Sequence, residues 1–222
     1  EIWDQNKKRI FEEKKIVYII KSLNSLIKNI KSANKDLPSL DIKLIILDDN
    51  STPENFQRIK KIIENENINY EILKHDTKKN ENIIKKQKTN ETFSNLSTLL
   101  TSFKLGKESG EDLIFFVEDD YIHLDNMISE IIKTYQRISS QLNKDIFICP
   151  SDYPFLYMEN EKTNVLIGDK RHWRTINKTL CTFLTSKYLL NKYWGNFEKN
   201  CTDRHEPFEK YLNEIYEKEI CI

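Results

Sequence analysis

Leu44-Ile45-Ile46-Leu47-Asp48-Asp49-Asn50-Ser51 and Leu113-Ile114-Phe115-Phe116-Val117-Glu118-Asp119-Asp120-Tyr121 follow one pattern, an apolar run of strand length that ends in carboxylates. Strands buried on both faces read as short continuous apolar runs of this kind. Both acidic clusters are therefore expected at strand C-termini, the edge where ligands bind in open α/β sheets. Three consecutive carboxylates, Glu118 to Asp120, repel one another unless a cation neutralises them. A helix cap at the first string needs one polar side chain, not the two carboxylates Asp48 and Asp49. The two strings together point to a divalent metal and a phosphate-bearing ligand at one edge of a sheet.

Outward from these strings the chain alternates strand and helix, the pattern of a parallel sheet. Ile16, Ile19, Ile20, Leu23, Leu26, Ile27 and Ile30 recur at helical spacing up to Asp36-Leu37-Pro38. A rival reading makes Ile16 to Ile20 a strand. Ser51 or Thr52 caps a helix with Pro53 at its first position. Tyr70 to Leu73 reads as a strand and Lys74 to Asn90 as a loop. Leu96, Leu99, Leu100 and Phe103 mark a helix closed by Gly106. A helix is expected over Asp125 to Ile138, strands at Ile146 to Cys149 and Leu180 to Thr185, and helices at Lys187 to Trp194 and Pro207 to Tyr216. Pro150 to Ile176 is irregular. With no linker and no repeat, residues 1–222 read as one domain.

Composition sets the limits. The 222 residues are 38% hydrophobic and 32% charged, and the 11 Phe, 10 Tyr and 3 Trp cluster in periodic runs that can build a core. Basic and acidic residues balance at 35 each, which removes the basic face that nucleic-acid binding requires. Ala33 is the only alanine and Lys far outnumbers Arg, a coding bias that also discounts the Asn-x-Ser/Thr strings at Asn90, Asn95 and Asn177. Cys149, Cys181, Cys201 and Cys221 have neither C-x-x-C nor zinc-ligand spacing, so buried free thiols in a reducing compartment are expected. No stretch has the roughly 20 apolar residues of a membrane span. The start without Met and the strand-like Glu219-Ile220-Cys221-Ile222 suggest a chain trimmed at one or both ends.

The order Leu-Asp-Asp-Asn-Ser, helix, Asn-bearing helix, then Asp112 to Asp120 resembles the family 2 glycosyltransferases over about Ile42 to Ile138. The resemblance implies a GT-A-like (Rossmann-like) three-layer α/β sandwich with a mainly parallel central sheet. The family's first strand is either missing here or supplied by Ile16 to Ile20. It implies an inverting, metal-dependent glycosyltransferase that moves a sugar from a UDP- or dTDP-type donor to a glycan or lipid-linked acceptor. The protein would lie in the cytoplasm, peripheral to the inner face of the membrane. In that family the first acidic tip holds the nucleoside, here Asp48 and Asp49. The later cluster, the DXD motif, holds Mn²⁺ or Mg²⁺ through Asp120 and Glu118, with Asp119 on the sugar or ribose. The asparagine of the middle helix is Asn95, and a phosphate contact falls to Lys85, Lys86 or Lys88, because Phe93 and Ser94 replace the usual basic residue.

The residue types suit this chemistry on their own terms. A hard divalent cation takes one or two carboxylates plus phosphate oxygens, and it stabilises a departing diphosphate as a Lewis acid. Inversion also needs a carboxylate base for the acceptor hydroxyl. The late segment Cys201 to Glu209 offers Glu206 first and Asp203 second, both ahead of the helix expected to begin at Pro207. His205 is either a further metal ligand or a capping group. His172-Trp173-Arg174 reads equally as an acceptor loop or as a packed aromatic, and Tyr153, Phe155 and Tyr157 as sugar-stacking or core residues. Two other classes compete. One is a module that binds a nucleotide sugar or glycan without turnover. The other is a receiver-type signalling domain over 113–222, for which Asp152 lies close to the first acids and no Lys-Pro is present.

Overall fold

The computed structural model describes residues 13–151, 157–158, 162–178 and 181–222. Tyr153, Phe155 and Asp152 lie outside them. The chain is mixed α/β and divides into two compact units, one running to Thr101 with Asp119–Ser129, the other comprising Ser102–Glu118 and Glu130–Ile222.

In the first unit, helix α1 spans Lys15–Asp36 and buries Ile16, Leu23, Leu26, Ile27 and Ile30 along one stripe. The strand reading of Ile16 to Ile20 is thereby corrected, because the apolar period of Ile16, Ile20, Leu23 and Ile27 is that of a helix face. Strand β1 (Lys43–Asp48) pairs in parallel with β2 (Asn69–Lys74), from Lys43 opposite Asn69 to Asp48 opposite Lys74. Between them α2 (Pro53–Glu64) starts where sequence placed it. Pro53 takes the first turn, and the Thr52 hydroxyl accepts the Asn55 amide at 3.3 Å. Ile59 and Ile63 of α2 join Ile16, Leu23 and Ile27 in one core cluster against Leu44, Ile46 and Ile72.

Helix α3 (Asn90–Ser109) continues past Gly106, so the glycine is not the expected stop. It marks a close approach instead: a Cβ there would lie 2.7 Å from the Phe116 ring. The helix is closed by Lys187, whose ammonium donates to the carbonyls of Lys107 and Gly110.

The second unit is built around β3 (Leu113–Phe116) paired antiparallel with β6 (Phe183–Ser186). Leu184 also bridges Ile148, and Phe147 bridges Cys221 in parallel. The strands expected at Ile146 to Cys149 and at the chain's last residues are thus single bridges. Among the described residues the ladders are one parallel pair and two antiparallel pairs, without a large parallel sheet. The rings of Phe103, Phe116, Phe147, Phe183 and Phe197 pack with centroids 5.0 to 6.3 Å apart and form this unit's core. Helix α4 (Met127–Leu142) precedes a hairpin, β4 (Val165–Ile167) with β5 (His172–Arg174), inside the stretch read as irregular. Helices α5 (Lys187–Lys192), α6 (Trp194–Thr202) and α7 (Lys210–Tyr216) complete the unit. All four cysteines are free and buried, as the spacing predicted.

Candidate functional site

In the first unit β1 delivers Asp48 and Asp49 to its C-terminal tip. The Asp48 carbonyl accepts the His75 amide at 2.8 Å, which ties the tip to the end of β2. Asn50, with φ 56°, turns the chain toward α2. Asp49 Oδ2 accepts hydrogen bonds from Ser94 Oγ at 2.6 Å and Thr98 Oγ1 at 3.2 Å. Those two hydroxyls are one helical turn apart on α3 and share a face. Asn95, the asparagine expected to contact the nucleotide, sits between them in sequence and is partly exposed. The family pattern points to Asn95, whereas the side chains set on Asp49 are those of Ser94 and Thr98. The signal was present in Ser94, Ser97, Thr98 and Thr101, hydroxyls spaced as one helical stripe.

Behind this tip the stripe continues into buried polar contacts. His75 Nε2 is 3.0 Å from Ser97 Oγ, and Asn80 donates to Ser97 Oγ at 3.0 Å and Thr101 Oγ1 at 2.8 Å. Burial holds the His75 imidazole below its ordinary pKa, against the opposing pull of Asp49 and Asp76. Lys85, Lys86 and Lys88, the expected phosphate contacts, are exposed.

Asp119 and Asp120 form an exposed turn in the same unit. The Lys15 ammonium at the start of α1 lies 3.7 Å from Asp119 Oδ1, with the Lys15 side chain 13% exposed. Part of the neutralisation that the acidic string demands therefore comes from a lysine. No group of three or more His, Cys, Asp or Glu is gathered as a metal cage among the described residues. The hard oxygens of this turn suit an ion that completes its shell with phosphate oxygens, not one enclosed by protein.

The second unit holds Glu118 and the late segment. Thr182 Oγ1 lies 3.1 Å from the Glu118 amide and 3.3 Å from its Oε2, so the residue just ahead of β6 fixes the first acid of the triplet. Asp203 Oδ1 accepts the Arg204 amide at 2.8 Å, and the Arg204 guanidinium lies 4.3 Å from the centre of the Phe208 ring. His205 Nε2 is 3.0 Å from the Lys199 carbonyl, at the end of α6, the capping role of its two readings.

Glu206 is exposed. Helix α7 begins at Lys210, not Pro207, so the acid immediately ahead of it is Glu209. Burial raises the Glu209 carboxyl above its usual range, nearby Arg204 lowers it, and Glu206 raises it further. Burial, with the charges of Glu118 and Glu209 adding to it, raises the Cys181 thiol. The Pro207 signal places the start of this helix three residues before the observed Lys210, which puts Glu209 inside the expected helix and not ahead of it.

Two clefts among the described residues avoid these side chains. One of about 250 Å³ in the second unit is lined by Asn164, Thr175, Asn177, Tyr216 and Cys221, and one of about 100 Å³ in the first by Lys28, Ser32 and Asp125. We assign the candidate site to the tip of β1 in the first unit, where the Asp49 carboxylate meets the Ser94 and Thr98 hydroxyls. No family model matches the chain, and no curated protein matches its sequence. No helix among the described residues is long and apolar enough to cross a membrane.

Proposed function

We propose that this chain is a metal-dependent inverting glycosyltransferase of the GT-A type that uses a nucleotide diphosphate sugar. The observation that carries the proposal is Asp49, a carboxylate at the C-terminal tip of a parallel strand held by Ser94 and Thr98. A fixed carboxylate at that edge is suited to accept hydrogen bonds from a nucleoside, and Asp48 stands beside it. Asp119 faces the ribose or sugar in this reading, and Asp120 is the residue that holds Mn²⁺ or Mg²⁺. The chemistry such an ion supplies when bound is stabilisation of negative charge on the diphosphate.

The reaction balances simply. An acceptor hydroxyl oxygen bonds to the anomeric carbon, the bond from that carbon to the diphosphate oxygen breaks, and the hydroxyl proton passes to a carboxylate. Glu206 is the proposed acceptor of that proton, with Asp203 second. The donor is of the UDP or dTDP class, and the acceptor a glycan or a lipid-linked sugar.

A second reading, nucleotide-sugar binding without turnover, draws support from Asp203, whose carboxylate is already engaged by the Arg204 amide. Calorimetric titration with UDP, dTDP, GDP and CDP, with and without Mn²⁺, tests the donor site. Metal-dependent binding of one nucleotide is the expected result, and no binding of any overturns it. Sugar transfer from the nucleotide that binds then separates turnover from binding alone.

A further inference from the structure

The β4–β5 hairpin has two faces of opposite character. Directly opposed residues of an antiparallel pair project to the same side. Val165 opposes Arg174, Leu166 opposes Trp173 and Ile167 opposes His172. Leu166 and Trp173 therefore share one face, and Val165, Ile167, His172 and Arg174 share the other.

The first of these faces is fastened to α4. Glu130, only 6% exposed, accepts the Trp173 indole N–H at 3.1 Å and the amides of Lys170 at 2.9 Å and Arg171 at 3.2 Å. Arg137 donates to the Gly168 carbonyl at 3.0 Å. A Cβ on Gly168 would lie 2.4 Å from Thr134 Oγ1, so the turn lies tight on the helix.

The other face is turned outward. Val165 is 67% exposed and Ile167 58%, where a solvated strand face ordinarily carries polar residues. Cations surround them. Residues 157–174 hold Lys162, Lys170, Arg171 and Arg174 against Glu159 and Glu161 ahead of the hairpin and one carboxylate within it, Asp169. That carboxylate is itself 3.8 Å from Lys133. Tyr157, under the Arg174 guanidinium at 4.6 Å, and the 86% exposed Met158 add further apolar surface.

We propose that this outward hairpin face docks the second unit on an anionic lipid surface, with Val165 and Ile167 entering the interface and the four cations at headgroup level. A few protruding side chains fall far short of the roughly 800 Å² per partner that a specific protein interface buries. A lipid surface asks for no such area, because each Lys or Arg near an anionic leaflet tightens binding roughly fivefold and aliphatic tips add to it. The inference is independent of the reaction proposed above.

Co-sedimentation of the full chain with phosphatidylcholine vesicles, with and without phosphatidylglycerol, tests it. Binding is expected only with phosphatidylglycerol and is weakened by salt. Lys170→Gln and Arg171→Gln should each lower it roughly fivefold, and Val165→Ser with Ile167→Ser roughly tenfold. Lys60→Gln, on α2, should leave it unchanged. These side chains are exposed, so thermal melting monitors that the variants stay folded. Absence of binding, equal binding to neutral vesicles, or equal loss with Lys60→Gln overturns the proposal. So does a concentration-dependent dimer, seen without vesicles, that the hairpin substitutions abolish.

Discussion

Ser94 Oγ donates a 2.6 Å hydrogen bond to Asp49 Oδ2, although the two residues lie 45 positions apart in the chain. Thr98, one turn further along α3, adds a longer contact at 3.2 Å and divides its single proton between Asp49 and the Ser94 carbonyl at 2.9 Å. A hydroxyl bonded to a carboxylate is among the stronger hydrogen bonds, and this one fixes the rotamer of the acid. Ser94→Ala is expected to weaken nucleotide binding roughly tenfold, about 1.4 kcal/mol, and Thr98→Val by less. Calorimetry reads the affinity, and a melting curve shows that the fold persists. Wild-type affinity in Ser94→Ala would mean that Asp49 needs no such clamp and that the nucleotide is held elsewhere.

This pair also shows where sequence reading stops. β1, its acidic tip and the Thr52-Pro53 start of α2 were legible because each depends on neighbours in the chain: an apolar run, a cap and a fixed φ. The Ser94–Asp49 bond depends on α3 packing beside β1, which no local pattern encodes. Gly106 looked like a helix stop, but its small size serves the Phe116 ring. Glu130 carries no local signal in the sequence, because its partners include backbone amides of a turn 40 residues away. The hairpin itself was missed because its three-residue strands are too short to show alternation. The start of α7 was misplaced because Pro207 is a favoured first helical residue that here occupies the preceding turn, its carbonyl accepting the Lys210 amide at 3.2 Å.

Lys15 and Asp120 test the acidic turn in opposite directions. The Lys15 ammonium competes with any metal ion for the field of Asp119. A charge near 4 Å in water contributes about 1 kcal/mol, so Lys15→Met should lower the Mn²⁺ concentration needed for nucleotide binding by roughly fivefold. Because the pair reaches the surface, fold stability should change by less than about 1 kcal/mol. Asp120→Asn should remove the metal-dependent part of nucleotide binding altogether. Unchanged nucleotide affinity in the presence of Mn²⁺ would reject Asp120 as the metal ligand.

Glu130 ties the β4–β5 hairpin to α4, and its titration carries a sign. Burial alone would raise its pKa, but hydrogen bonds from Trp173, the Lys170 and Arg171 amides and Thr134 together hold it below the ordinary value. A carboxyl depressed in the folded state stabilises the fold above its unfolded pKa, about 4.3, and that contribution is lost as pH falls through the folded value. Glu130→Gln replaces one acceptor oxygen with a donor facing other donors and should cost about 3 kcal/mol at neutral pH. The gap to the native protein should narrow in acid. Hydrogen exchange should quicken at the Lys170 and Arg171 amides. A gap that stays constant across pH would show that packing, not the charge, holds the hairpin.

Glu209 is displaced in the opposite direction. Burial favours its neutral form in the folded protein, so its contribution to stability is full below the unfolded pKa and lost as pH rises through the raised folded value. Glu209→Gln should therefore be more stable than the native chain at neutral pH, with the difference vanishing in acid. Its chemistry is tested beside that of Glu206. If Glu206 accepts the acceptor's proton, Glu206→Gln should bind donor normally and stop transfer, while Glu209→Gln keeps activity. Full activity in Glu206→Gln with loss in Glu209→Gln would move the base to the half-buried acid just ahead of α7, whose raised pKa suits a proton acceptor. The pH–rate profile separates that outcome from structural damage, because a base with a raised pKa sets an acidic limb above the ordinary carboxylate range.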